Sequence, residues 1–234
     1  MKFSFENKNL SEMSKTIDAN LFHQNFQSIN GLTRTGTLTG LVLTKLTLPD
    51  SSDDFASPIP EITQAENNIL NVATASYLGL VVTNGSPELR YFDWVITTPL
   101  LTYTYWKLVE DWGWDKPFET LGISAALMSA LGYLAQKGKT EVLRKSAFLI
   151  SSLFFLVIVI EVLRINTFLQ QQIPEERKGL LGVIPWFFIL GWGLYPLVFY
   201  ASKEIKDTVW NLLDLINKPI YTLVYNRIIN QIYS

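Results

Sequence analysis

Two stretches of this chain run without a formal charge for longer than most soluble helices: 24 residues from Gly179 to Ser202, and 21 from Asn67 to Pro87. At about 1.5 Å of rise per residue, each is long enough to cross a hydrocarbon core ~30 Å thick. A water-soluble fold has no use for two such runs. The composition agrees: 48% of the 234 residues are hydrophobic and 13% aromatic, with a mean hydropathy of +0.19, high values for a soluble domain.

The remaining composition removes several classes of chemistry. Net charge is −2, so there is no basic field to attract nucleic acid. The chain has no cysteine, which removes disulfides, thiolate nucleophiles and Cys-based metal sites. His23 stands alone, and one histidine does not build a multi-His metal centre. Residues 1–27 are polar and mixed in charge, without the basic-then-apolar order of a cleaved signal. They read either as a polar tail or, over residues 11–29, as a short amphipathic helix lying on the membrane surface.

Working back from the C-terminus, the pattern predicts spans at 206–229, 180–201, 143–166, 118–136, 90–109 and 62–83, joined by short polar links such as Gln136-Lys137-Gly138-Lys139. Asn84-Gly85-Ser86-Pro87 is a turn between antiparallel neighbours. A seventh span is expected over 29–48, which is threonine-rich and carries Arg34 and Lys45, each costly at mid-membrane. The stretch from Pro49 to Asp54 reads as a loop. The expected fold is all-α: an N-terminal segment, 1–27, followed by a seven-transmembrane-helix bundle over 28–234.

Charges inside a bundle are the first place to look for function, because each costs several kcal/mol unless paired or hydrated. Asp214 and Lys218 are four residues apart on the last span and therefore share a face. Arg90, Asp93 and Thr97 share a face of the third span. Asp214 with Lys218 is open to a purely structural reading as an ion pair, and Arg90 to one as an interfacial anchor. Lys218, with about ten residues of helix on either side, sits too deep to snorkel. Burial of an amine in apolar surroundings favours its neutral form, the form that condenses with an aldehyde. The protonated product then needs a carboxylate nearby, and Asp93 and Asp214 are available, with Arg90 offsetting the second negative charge.

Three motifs now carry a resemblance. Arg90-Tyr91-Phe92-Asp93-Trp94-Val95-Ile96-Thr97-Thr98-Pro99-Leu100-Leu101 is similar to the third-helix signature of the microbial (type 1) rhodopsins. Trp192-Gly193-Leu194-Tyr195-Pro196-Leu197-Val198-Phe199 resembles their sixth-helix pocket motif, and Asp214-Leu215-Ile216-Asn217-Lys218 their seventh-helix Asp-x-x-x-Lys. The likeness runs from about Glu61 to the C-terminus. It implies all-trans retinal at the centre of the bundle, bound covalently to Lys218 as a protonated Schiff base. It also implies Asp93 as primary counter-ion and proton acceptor, and Asp214 as second counter-ion, braced by Arg90 and Tyr195. Trp94 and Trp192 would flank the polyene, and Thr98, Leu101, Met128, Gly132, Tyr195, Pro196 and Phe199 would complete the pocket. Leu101 stands where leucine accompanies green absorption in related proteins.

One departure bears on mechanism. Outward proton pumps of this family carry a carboxylate eleven residues after the acceptor; here that residue is Thr104. Glu66 on the second span heads a face continued by Leu70, Ala73 and Tyr77. If Tyr77 lies beside Asp214, Glu66 lies about three turns away on the cytoplasmic side. It reads either as a relocated proton donor, reminiscent of rhodopsins of large viruses, or as the solvated start of its helix. Family precedent puts the N-terminus outside and the C-terminus in the cytoplasm, whereas the Lys and Arg tally, seven inside against nine outside, gives that orientation no support.

The expected function is a non-enzymatic, light-driven outward proton pump embedded in the lipid bilayer. A light-gated ion channel, lined by Glu66, Asn67, Asn68 and Asn217, is the alternative, followed by a slow-cycling photosensor. Asp93 with Thr97 fits the pump pattern and argues against chloride and sodium pumps. Small and aromatic outward faces make a homo-oligomer, a trimer or pentamer, an expectation.

Overall fold

A computed structural model describes residues 28–48 and 57–234, all helices and short links, with no strand among them. The N-terminal segment and the loop predicted from Pro49 to Asp54 lie outside the described residues. Five helices are continuous: α1 (Ile29–Thr47), α2 (Pro60–Val82), α3 (Pro87–Asp111), α4 (Glu119–Lys137) and α5 (Glu141–Gln172). A single helical turn, Glu175–Lys178, lies in the link that follows.

The last two rods are composite. α6 passes from a 3₁₀ turn, Leu181–Val183, through Ile184–Trp186 and a π turn, Phe187–Trp192, into Gly193–Leu197. α7 joins Lys203–Leu215 to Tyr221–Tyr233 across a second π turn, Ile216–Ile220. The cause of that second turn is Pro219, which has no N–H and whose ring crowds the carbonyl of residue 215. The ladder widens, and the Tyr221 N–H reaches back to the Ile216 carbonyl. Lys218 sits within this turn.

Helix starts follow local chemistry. Ser28, Thr140 and Ser202 cap α1, α5 and α7 by accepting a backbone N–H three residues on. Pro60 and Pro87 occupy the first helical positions of α2 and α3, where a missing N–H costs nothing. The predicted turn before α3 uses left-handed residues, Asn84 at φ 53° and Gly85 at φ 91°. The threonines of α1 are compatible with a span because their hydroxyls fold back onto carbonyls three or four residues earlier, as at Thr33, Thr37, Thr39 and Thr47. Arg34 avoids mid-span lipid: it is buried at the Ser28 end and donates to Asn84 Oδ1 at 3.1 Å.

The bundle exposes apolar side chains and buries a charged centre within an apolar core. On α5, Leu149, Leu153, Leu156, Ile160 and Leu163 are exposed, and this helix is long and apolar enough to cross a membrane by composition alone. By contrast Arg90, Asp93, Asp214 and Lys218 are all buried. That arrangement matches a lipid solvent, in which polar groups must find partners inside the protein.

Candidate chromophore-binding site

Four of the buried charges, Arg90, Asp93, Asp214 and Lys218, meet at the centre of the bundle. Lys218 Nζ pairs with Asp93 Oδ2 across the α3–α7 contact and lies 3.6 Å from Asp214 Oδ1. Arg90 Nη1 lies 3.5 Å from Asp214 Oδ2. The two cations and two carboxylates balance, as buried charges require.

The two carboxylates are not equivalent. Asp214 accepts from Tyr77 at 2.6 Å, from Tyr195 at 2.7 Å and from Trp94 Nε1 at 3.0 Å, in addition to its Arg90 contact. Asp93 has, besides Lys218, the Thr97 hydroxyl at 3.2 Å. Asp214 is thus surrounded by donors on both oxygens. Asp93 has fewer partners and faces the amine directly.

Arg90 is held by more than charge. It donates to Asn211 Oδ1 at 2.7 Å and to Tyr77 at 3.3 Å, and its guanidinium lies 5.8–5.9 Å from the ring centroids of Tyr77, Trp94 and Trp210. Asn211 in turn donates to Asn30 at 2.9 Å and Thr33 at 3.1 Å, tying α1 to the ionic core. Asn211 was not among the residues singled out from sequence. Its place on the inward face, three residues before Asp214, is the signal that could have found it.

A cavity opens from Lys218 between α3, α4, α5 and α6. All ten predicted pocket residues line it: Lys218, Trp94, Thr98, Leu101, Met128, Gly132, Trp192, Tyr195, Pro196 and Phe199. It also takes in Tyr91, Ser129, Phe148, Ser151, Ser152, Phe155, Trp210 and Asn217. Eight aromatic side chains line its walls, with the hydroxyls of Thr98, Ser129, Ser151 and Ser152 and the groups of Asp214, Asn217 and Lys218 among them, the apolar and polar mix of a small-molecule site. An elongated apolar aldehyde fits this chemistry: an amine at one end, carboxylates beside it, and rings along the sides. At Gly132 a Cβ would come within 3.1 Å of the Tyr91 ring, so the absent side chain keeps that wall open.

Glu66 lies on the other side of Lys218 from Arg90. It is 1% exposed, which rules out the solvated helix start. The face it heads is buried throughout, Leu70, Ala73 and Tyr77 included, and Tyr77 does meet Asp214. Its carboxyl faces the Asn226 side chain, but neither oxygen closes a hydrogen bond of ordinary geometry. Thr104, at the position of the missing carboxylate, is fully buried and 3.4 Å from the Tyr221 hydroxyl.

Comparison with known proteins gives the chain a family and a fold. The profile of the family described as bacteriorhodopsin-like protein matches residues 54–232. Sensory rhodopsin III of Haloarcula marismortui is 27% identical over 145 residues, an overlap of 56% of this chain and 59% of that protein. The chain thus spans just under three-fifths of the length of this relative. The crystal structure of thermophilic rhodopsin from Rubrobacter xylanophilus superposes with a TM-score of 0.70 at 20% identity, covering 87% of this chain and 98% of that one. Xanthorhodopsin, described as a light-driven ion pump with dual chromophore, gives 0.67 at 19% identity, covering 92% and 94%. These structures share the seven-helix fold. With the family profile covering most of its length, the chain belongs to the bacteriorhodopsin-like family of microbial rhodopsins, multi-pass membrane proteins that bind retinal.

Proposed function

We propose that the chain carries all-trans retinal on Lys218 and uses light to move protons outward across the membrane. The observation that carries this reading is the inequality of the two carboxylates flanking Lys218. Asp214 is locked by Tyr77, Trp94, Tyr195 and Arg90, while Asp93 keeps one hydroxyl partner, Thr97, and the closest approach to Lys218 Nζ. Retinal, when bound, supplies the light-driven change of shape and places a transferable proton on the Lys218 nitrogen.

The chain's own groups then divide the work. Asp93 takes the proton from the Lys218 nitrogen, and Thr97 steadies the carboxylate that receives it. Asp214 stays in place, held by its donors, and Arg90 pairs with it. Trp94, Trp192, Tyr195 and Phe199 exclude water and fix the long axis of the cavity. Glu66, a buried carboxyl facing Asn226, returns a proton from the opposite side. With the N-terminus outside, Arg90 faces the exterior and Glu66 the cytoplasm, which gives outward transport.

Cells making the protein, supplied with all-trans retinal and illuminated in unbuffered medium, are expected to acidify that medium for as long as the light is on. No acidification despite a normal pigment would exclude pumping. A light-evoked current that reverses with membrane voltage would instead mean a channel. The second reading is a photosensor, favoured by the similarity to sensory rhodopsin III and by Thr104 in place of a carboxylate. It predicts a slow photocycle with no net acidification.

A further inference from the structure

Beyond Lys218, the inward face of α7 is polar for two more turns. Tyr221, Thr222, Tyr225 and Asn226 follow the lysine at steps of three, four, seven and eight residues, which puts all four on its side of the helix. None is more than 5% exposed. A span that only packs against its neighbours would fill such positions with apolar side chains.

These groups are also short of partners. Thr222 Oγ1 and the neighbouring Tyr105 hydroxyl have no hydrogen bond, and the Glu66 carboxyl and the Asn226 side chain face each other without closing one of ordinary geometry. Each uncompensated polar group in such a site costs on the order of 1–3 kcal/mol. Several such groups in one layer call for mobile hydrogen-bonding partners rather than packing alone. Tyr221 and Tyr225 stack with ring centroids 5.1 Å apart, and their hydroxyls reach Thr104: Tyr221 its Oγ1 at 3.4 Å and Tyr225 its carbonyl at 2.7 Å. The stripe therefore begins at the Glu66 carboxyl, facing Asn226, and ends one turn from Lys218.

We propose that this stripe of α7, Asn226, Thr222 and Tyr221 with Thr104 opposite, conducts the proton from Glu66 to the Lys218 nitrogen. The inference rests on the reading of Glu66 as donor. The transfer balances as a relay: Glu66 gives up one proton and becomes a carboxylate, and each hydroxyl or intervening water accepts one proton and passes one on. The Lys218 nitrogen gains one, and Glu66 is recharged from the cytoplasm. Asn226 orients the donor rather than carrying charge, and Thr222 and Tyr221 supply the hydroxyls.

Flash photolysis of the full-length, retinal-loaded protein tests this by timing the return of the proton to the Lys218 nitrogen. Thr222→Val, Tyr221→Phe and Asn226→Leu are each expected to slow that step about tenfold, whereas Glu66→Gln slows it about a hundredfold. An unchanged dark absorption band in each variant shows that fold and pocket survive. Combining Glu66→Gln with Thr222→Val should be no slower than Glu66→Gln alone, as for two members of one path. Slow return in Glu66→Gln with wild-type timing in all three stripe variants would overturn the relay and leave Glu66 as donor by another route. Wild-type timing in Glu66→Gln would remove the donor reading and the relay with it.

Discussion

Tyr77 on α2 donates a 2.6 Å hydrogen bond to Oδ2 of Asp214 on α7. Both residues are buried, so this one contact joins the helix that carries Glu66 to the carboxylate beside Lys218. A hydrogen bond to a charged acceptor in such a site contributes about 1.5–3 kcal/mol. Tyr77→Phe keeps the ring and removes the donor. The variant should still form a pigment but bleach at a lower temperature, as read by loss of visible absorbance on heating. An unchanged midpoint would mean that Arg90, Trp94 and Tyr195 hold Asp214 without help.

Asp93 faces Lys218 directly and has Thr97 as its other side-chain partner. Asp93→Asn keeps the shape and removes both the negative charge and the site that accepts the proton. The absorption maximum should move to longer wavelength, because a protonated nitrogen loses its nearest anion. Light-driven acidification should fall by about 10²-fold or more. An unshifted maximum would pass the counter-ion role to Asp214.

Replacing the buried carboxyl of Glu66 by an amide removes the proposed internal donor and leaves the chromophore end untouched. Glu66→Gln should lower pumping turnover, and a small permeant weak acid such as azide should restore much of it by delivering protons in place of the side chain. Slow turnover without rescue would point to a structural defect.

Gly191 lies where the π turns of α6 and α7 meet, and a Cβ there would overlap the Asn217 side chain. Gly191→Ala should therefore separate the two turns, at a cost of about 1–3 kcal/mol. Because Asn217 directly precedes Lys218, the strain should also appear as weaker pigment formation. Comparing pigment yield and thermal bleaching with those of Gly36→Ala, where a Cβ meets nothing within 4 Å, isolates the effect.

The charged centre was readable in sequence because a membrane span tolerates few charges. Arg90, Asp93, Asp214 and Lys218 had to find one another, and they do. The cavity wall was readable only where a motif marked it. Tyr91, Phe148, Phe155 and Trp210 also line it, but an aromatic residue on a bundle helix reads the same whether it faces a cavity or a neighbour. Glu66 stood undecided for a different reason. Its helix begins six residues earlier, at Pro60, and whether that start lies in water depends on how far the adjacent helices reach. α3 and α7 continue to Asp111 and Tyr233, far enough to cover it. Neither π turn was read from the sequence: Pro219 lies inside the one around Lys218, but a proline in a span marks a break in the ladder and not its form, and the turn on α6 has no proline within it.

The central claim is that Lys218 holds retinal, and absorbance tests it most directly. Membranes containing the protein, given all-trans retinal in the dark, should develop a band in the green part of the visible spectrum, and Lys218→Ala should abolish it while the protein remains inserted. A wild-type protein that develops no visible band, or a Lys218→Ala variant that keeps it, would contradict the account.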